Sequence, residues 1–340
     1  MAELLDILKR DAEQVGQEVD FGELNGKSVL LTGATGLIGI NLLSALRWGG
    51  KGVKNLAIYP VVHSAPDGVT RDLMNFKGVT VCAGDLTDPG FCSHLPSVDY
   101  IIHGAGYAQP LRFMEDPLKT YKLNTSTTAS LFERLRKGGR FLFLSSSEVY
   151  AGAELGVCSE DDIGRTNTTH PRACYVEGKR GGEAICNAYR SFGVGATSAR
   201  VSLVYGPGAR IGDKRVLFSF IEQAFRGGIT LMDRGQASRT YCYSTDAVEI
   251  LLKIMLQGTE PIYNVGGKSR LTIAELATLV GDHFRVPVNF PEKSAGVAGA
   301  PRDVRVDISL IQERFRKTRF GDMETGLKMT IEWYDRLYRG

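Results

Sequence analysis

The chain has 340 residues, 43% hydrophobic and 23% charged, which is enough to bury one large core or two joined ones. A formal net charge of +3, spread over dispersed Lys and Arg, gives no case for a nucleic-acid surface. The six cysteines, at 82, 92, 158, 174, 186 and 242, show no C-x-x-C spacing and no cluster with histidine, so no metal site and no disulfide framework is expected, and reduced thiols in a cytoplasmic protein are.

Residues 2–16 set Leu4, Leu5, Leu8 and Val15 at helical spacing among Glu3, Asp6, Asp11 and Glu13, predicting an amphipathic helix in an N-terminal extension over residues 1–25. Acids among the leucines are unlike a secretory signal, and no apolar run approaches a membrane span. From Lys27 onward, short aliphatic or β-branched runs at 29–32, 56–62, 79–83, 100–103, 140–144 and 195–201 alternate with helical stretches. That alternation predicts an α/β fold with a doubly wound parallel sheet, Rossmann-like, over residues 26–204. Past Val204 the pattern turns irregular at Gly206-Pro207-Gly208, and a helix resumes at 218–225. A strand is expected at 262–266, a helix capped by Thr272 at 272–284, and a loop rich in Gly and Ala at 294–301. Residues 236–267 are taken to return to the first domain, leaving 205–235 and 268–340 as a smaller substrate-binding region.

The first strand runs into Gly33-Ala34-Thr35-Gly36-Leu37-Ile38-Gly39 and then a helix through Leu42, Leu43 and Leu46. Glycines at this strand-to-helix turn let the backbone approach a pyrophosphate, whose charge the helix N-terminus favours. Gly33, Thr35, Gly36, Leu37, Ile38 and Gly39 are therefore candidate dinucleotide contacts. An acid about 20 residues past the loop would read a ribose 2′-hydroxyl. The second strand ends instead in His63-Ser64, which leaves NAD and NADP both open. Asp85, in Gly84-Asp85-Leu86, is placed either to meet an adenine edge or to serve as a turn residue before Asp88-Pro89.

Tyr175 and Lys179 stand one helical turn apart and so share a face. A phenol titrates near 10, but a neighbouring ammonium favours the phenolate, so Tyr175 is expected to act as a base toward a hydroxyl. An exposed pair on an amphipathic helix is the bland alternative. The glycine loop and the strand end Ser145-Ser146-Ser147 just before the pair weigh against it.

Taken together, Gly33–Gly39, Gly84-Asp85-Leu86, Asn124, Ser145 through Tyr150, Tyr175 with Lys179, and Arg200 through Pro207 resemble the extended short-chain dehydrogenase/reductases that act on nucleotide sugars. The resemblance runs from about residue 25 to the C-terminus. It is strongest to the UDP-glucuronate decarboxylases, through Pro171-Arg172-Ala173-Cys174-Tyr175-Val176-Glu177-Gly178-Lys179-Arg180, with further agreement at Pro110, Asp116-Pro117, Asn124-Thr125 and Lys214-Arg215-Val216. It implies NAD as cofactor, a nucleotide-sugar substrate, no nucleic-acid or membrane partner, and a homodimer formed by helices around 118–135 and 175–189. By the same resemblance His63, Ser64, Asp85, Leu86, Gly104, Ala105, Asn124, Tyr175 and Lys179 join the glycine loop as cofactor contacts. Arg215 and Val216 would lie near the nucleotide, Arg239 on the diphosphate, and Arg305 near the diphosphate or a sugar carboxylate, with Tyr107 and Leu203 beside the sugar.

The triplet Ser146-Ser147-Glu148 discriminates among chemistries within the group. Dehydratases carry an aspartic acid in the middle position, and serine cannot replace it as an acid. Decarboxylases carry Ser/Thr-Ser-Glu. The implied mechanism oxidises C4 with Tyr175 as base and Lys179 lowering its pKa, while Ser146 holds the same oxygen. Carbon dioxide then leaves, and Glu148 handles protons at C5. Three departures stand out: Leu203 replaces a sugar-contacting asparagine, Val176 an aspartate, and His103-Gly104-Ala105-Gly106 a more usual His-Leu-Ala-Ser. A 4-epimerase or 4,6-dehydratase, and a non-catalytic NAD-binding sensor, are the alternatives.

Overall fold

The computed structural model describes residues 2–153, 156–291 and 303–339; the loop expected at 294–301 lies outside them. Helix α1 (Ala2–Glu18) buries Leu4, Ile7, Leu8, Ala12 and Val15, the stripe its spacing predicts. Strand β1 (Ser28–Thr32) is buried throughout and leads into α2 (Leu37–Ser44), which ends in a π turn at Ala45–Gly49. Next come β2 (Ala57–Val62), α3 (Gly68–Met74), β3 (Cys82–Ala83), α4 (Pro89–His94) and β4 (Val98–His103). Three short helices, α5 (Pro110–Glu115), α6 (Pro117–Asn124) and α7 (Ser126–Phe132), precede β5 (Leu135–Ser146), α8 (Ala173–Ser191) and β6 (Gly195–Val201). Beyond them run β7 (Leu203–Tyr205), α9 (Val216–Phe225), β8 (Ile229–Thr230), β9 (Ser238–Tyr243), α10 (Ser244–Gln257) and β10 (Ile262–Val265). The chain closes with β11 (Ser269–Thr272), α11 (Ile273–Phe284), β12 (Val288–Asn289), β13 (Asp303–Val304), α12 (Ser309–Phe315) and α13 (Met323–Arg339).

The main sheet has seven strands in the order β10-β6-β5-β4-β1-β2-β3, parallel at every pairing. Val29 and Leu31 enter one core and Leu30 the other, so the sheet is buried on both faces, as the unbroken apolar runs require. Strand order reverses between β1 and β4, which opens a crevice at their carboxyl ends. A second sheet centres on β9, which is flanked by β11 and β13 and also pairs with β7. The predicted cap of α11 is a full capping box between Thr272 and Glu275.

The helical region expected around 118–135 consists of α6 and α7, which meet at a break at Thr125 (φ −114°, ψ −83°), and Leu135 already belongs to β5. The cause is a run of hydroxyls that bond back to the preceding turn: Thr125 to Tyr121 O and Thr128 to Asn124 O, both at 2.8 Å.

Long-range polar contacts lock the layers together. The N-terminal helix is fastened by the Tyr243 hydroxyl, which donates to the buried Asp11 carboxylate at 2.8 Å. Asn41 on α2 donates to Pro207 O at 2.8 Å, tying the cofactor-side helix to the loop that enters the substrate region. Arg200 on β6 makes a two-pronged pair with Glu183 on α8, at 2.9 and 3.0 Å, which fixes α8 against the sheet one turn beyond Lys179.

Candidate active site

The crevice begins at the glycine loop. Gly33 has φ 71°, and a Cβ there would lie 2.5 Å from Gly104 O; one on Gly39 would lie 2.1 Å from Gly33 O. Gly36 caps α2 without any side-chain hydrogen bond, so the first N–H groups of that helix stay available to an anion. Thr32 and His103, at the ends of β1 and β4, brace the other wall. The His103 Nε2–H donates to Leu123 O at 2.9 Å, which leaves Nδ1 to accept from the Thr32 hydroxyl at 2.7 Å. The Thr32 oxygen in turn accepts the Gly104 and Ala105 N–H groups. Burial pushes His103 down to about 4, so this neutral tautomer persists at physiological pH.

Asn124 supplies a further test of fit to a dinucleotide. Its Nδ2 donates to Thr120 O, while its Oδ1 is buried with no partner. A Cβ on Gly106 would sit 3.8 Å from that oxygen and 3.9 Å from Lys179 Nζ. A ligand hydroxyl entering this gap would satisfy the orphaned acceptor, and the glycine cradle leaves room for a diphosphate beside it. The residues present therefore fit a dinucleotide.

Elsewhere the expected contacts are placed unevenly. His63 and Ser64 are exposed at the end of β2, and no acid stands there. The Asp85 carboxylate takes the Lys119 ammonium at 2.8 Å and the Thr87 N–H and hydroxyl, and these hold it well below its usual range. Leu86 is buried and gives its carbonyl to the Thr127 hydroxyl.

Tyr175 and Lys179 do share one face of α8, and both are buried, at 5% and 6% exposure. The electrostatics differ from expectation. Burial pushes the Tyr175 phenol up to about 12, against weaker lowering by a Ser146 hydrogen bond and by the charges of Arg172 and Arg215. Lys179 Nζ lies 5.8 Å from the centre of the tyrosine ring and gives its hydrogen bond to Leu144 O at 2.7 Å. Burial lowers this ammonium to about 7, so in the chain alone desolvation outweighs the pairing that the Tyr-x-x-x-Lys spacing suggested.

Ser146 ends β5, and its hydroxyl accepts the Glu148 N–H at 3.2 Å, opening the turn Ser147–Tyr150. Glu148 is held by Arg172 Nη2 at 2.8 Å and lies close enough to Tyr175 to raise its phenol. Phe113, from α5, stacks on Tyr175 with ring centres 4.5 Å apart and planes at 10°. Sequence reasoning assigned no role to Arg172 or Phe113. Arg172 lies inside the most distinctive block of the chain, which was the one available signal.

On the substrate side, Arg215 is gripped by Asp213 at 2.6 Å, lies over the Phe218 ring at 4.7 Å, and is close enough to pull the Tyr175 phenol down. Val216 begins α9 directly after it. Arg239 on β9 stands in register with Val304, so the strand leading to Arg305 runs alongside it. Cys158 N–H donates to Arg305 O at 2.9 Å and anchors that segment. Leu203 is 37% exposed on β7, an apolar side chain where a polar one was the norm of the resemblance, and Tyr107 is half-buried. Among the described residues no helix is long and apolar enough to cross a membrane, and no cluster of three or more His, Cys, Asp or Glu could hold a metal ion.

Comparison with known proteins places this geometry. The model of the NAD dependent epimerase/dehydratase family matches residues 29–266. The chain belongs to that family. Proteins of similar sequence include UDP-glucuronic acid decarboxylase 6 of Arabidopsis thaliana, 32% identical over 291 residues, covering 84% of this chain and 82% of that protein. UDP-glucuronic acid decarboxylase 1 of Xenopus tropicalis is 32% identical over 82% of this chain, which spans 66% of the frog protein's length. The fold is also that of a UDP-glucose 4-epimerase from Thermotoga maritima, with TM-score 0.78, 23% identity, and coverage of 92% of this chain and 99% of that one. The chain is thus an enzyme of the NAD-dependent epimerase/dehydratase family.

Proposed function

We propose that the enzyme decarboxylates a UDP-glucuronate-like nucleotide sugar by transient oxidation at C4. The observation that carries this reading is the carboxylate of Glu148, held by Arg172 within electrostatic reach of buried Tyr175. The similarity to decarboxylases at 32% identity supports it.

NAD, when bound, is the acceptor that takes up the C4 electrons and later returns them. Tyr175 Oη takes the proton of the C4 hydroxyl, and Ser146 hydrogen-bonds the same oxygen. Burial, and after it the Glu148 charge, leaves the phenol near 12 although the Ser146 hydrogen bond and the cations of Arg172 and Arg215 favour the phenolate, so the ionised base is a minor form at neutral pH. The C4 ketone lies β to the C6 carboxylate. The C5–C6 bond breaks, carbon dioxide leaves, and the electron pair moves onto the C4 oxygen, where Tyr175 and Ser146 donors stabilise it. Glu148 then delivers to C5 a proton that it takes up from solvent, and Tyr175 returns its own proton to the C4 oxygen as the ketone is reduced. Arg239 and Arg305 bind the diphosphate and the sugar carboxylate as guanidinium forks, and Arg215 lies at the nucleotide.

A serine at position 147 disfavours dehydration, because it cannot protonate a departing hydroxyl. Two copies of the chain assemble as a homodimer through α6 and α8; light scattering that finds only monomer contradicts this. The function is tested by incubating the protein and NAD with a panel of nucleotide sugars and following products by mass spectrometry. Loss of one carboxyl unit from UDP-glucuronate is expected, and a C4 epimer or a 4-keto-6-deoxy product replaces the reading.

A further inference from the structure

Arg172 is the N-cap residue of α8, three positions before Tyr175, so the guanidinium and the phenol leave the same first turn of one helix. Its Nη2 donates to Glu148 Oε1 at 2.8 Å, across 24 residues of sequence. The guanidinium carbon lies 5.5 Å from the centre of the Phe113 ring, and that ring is itself stacked on Tyr175. One arginine therefore joins the carboxylate, the aromatic wall and the phenol.

The way it holds Glu148 is informative. Nη2 and Nε lie on one edge of a guanidinium, the edge that grips a carboxylate through two parallel bonds. Only the Nη2 half is used: Arg172 Nε is buried with no partner, and Glu148 Oε2 makes no hydrogen bond among the described residues. Closing the second half of the fork would satisfy that buried donor, whose unpaired state is costly. A carboxylate fixed by one oxygen keeps its place and leaves the other free to carry a proton.

We propose that Arg172 is a positioning residue for the reaction: it tethers Glu148 by Oε1 so that Oε2 faces C5 of the bound sugar. The inference rests on the decarboxylase reading of the site. In this arrangement Oε2 approaches C5 from one side only, so protonation after carbon dioxide loss has a single stereochemical outcome. Without the tether the carboxylate swings, the rate falls, and solvent delivers the proton from either side.

The experiment compares Arg172→Gln, Arg172→Lys, Glu148→Gln and the double variant Arg172→Gln/Glu148→Gln, using UDP-glucuronate and NAD in deuterated water, with NMR of the deuterium at C5 of the product. Arg172→Gln is expected to lower kcat about 10- to 100-fold with KM nearly unchanged, the range expected for a misplaced catalytic group, and to give a mixture of C5 deuterated diastereomers where the wild type gives one. The double variant is expected to be nearly as fast as Glu148→Gln alone, since the arginine acts chiefly through the carboxylate and only weakly on Tyr175 directly. Arg172→Lys keeps the cation but loses the fork, and it takes the place of the glutamine variant if that one does not fold. An arginine variant with wild-type kcat and a single diastereomer overturns the inference, as do losses that add in the double variant. Wild-type enzyme that releases no carbon dioxide overturns the decarboxylase reading and this inference with it, whereas release by the wild type with an unaltered Arg172→Gln overturns this inference alone.

Discussion

Lys179→Met is expected to stabilise the cofactor-free protein. Lys179 is 6% exposed, and burial lowers its ammonium from 10.5 to about 7. At 1.36 kcal/mol per pH unit, keeping it charged in the folded state costs about 5 kcal/mol below pH 7. Methionine removes that cost but strips Leu144 O of its donor, a loss of about 1–3 kcal/mol, which leaves a net gain of about 3 kcal/mol at pH 6. The sign with pH follows from proton counting. Between about 7 and 10.5 the unfolded wild-type chain binds a proton at Lys179 that the folded chain does not, so wild-type stability rises with pH across that window. The advantage of the variant therefore shrinks by about 3 kcal/mol between pH 6 and pH 9 and nearly vanishes. Paired urea denaturation of both proteins without NAD at the two pH values measures it. A variant less stable than wild type at pH 6, or a difference that does not change with pH, refutes the claim that burial dominates this lysine.

Other groups give further tests. Lys317 Nζ lies 2.7 Å from Asp246 and 2.6 Å from Glu249 in a buried cluster, so Lys317→Met leaves Asp246 without its cation and Glu249 with Lys253 alone, and is expected to cost about 3–5 kcal/mol by urea denaturation; an unchanged midpoint contradicts this. Burial raises Asp11 from 3.8 to about 6, so the folded chain holds a proton that the unfolded chain releases between those values, and stability falls by about 3 kcal/mol as pH rises through the window. Asp11→Asn is expected to flatten that fall between pH 4 and pH 7, and a slope like that of the wild type counts against the assignment. Gly39→Ala places a methyl 2.1 Å from Gly33 O and is expected to abolish NAD binding in a fluorescence titration, so retained affinity argues against the cradle.

The strands and the glycine loop were legible in the sequence because their signals are local. Val29 to Gly39 carries a buried strand, a turn that only glycine fits, and a helix start within eleven consecutive positions. The pairing of Tyr175 with Lys179 on one face was equally local, resting on helical spacing alone. What those two groups do to each other was not, since Tyr175 is desolvated by Phe113, which arrives from α5, and Lys179 is claimed by Leu144 at the end of β5. The break at Thr125 was hidden because the surrounding apolar residues keep helical spacing while the hydroxyls that kink the backbone carry no periodic signal. Arg172 and Glu148 stand 24 residues apart, and Asp11 and Tyr243 stand 232 apart, so neither pair exists until the fold brings the elements together.

The most direct test of the central claim is the fate of the C6 carbon. UDP-glucuronate labelled at C6 is incubated with the enzyme and NAD, and the label is traced. Release of the label as carbon dioxide, with a nucleotide pentose remaining and no net change in NAD, is the predicted result. Label retained in a C4-inverted sugar acid, or substrate recovered unchanged, contradicts the account.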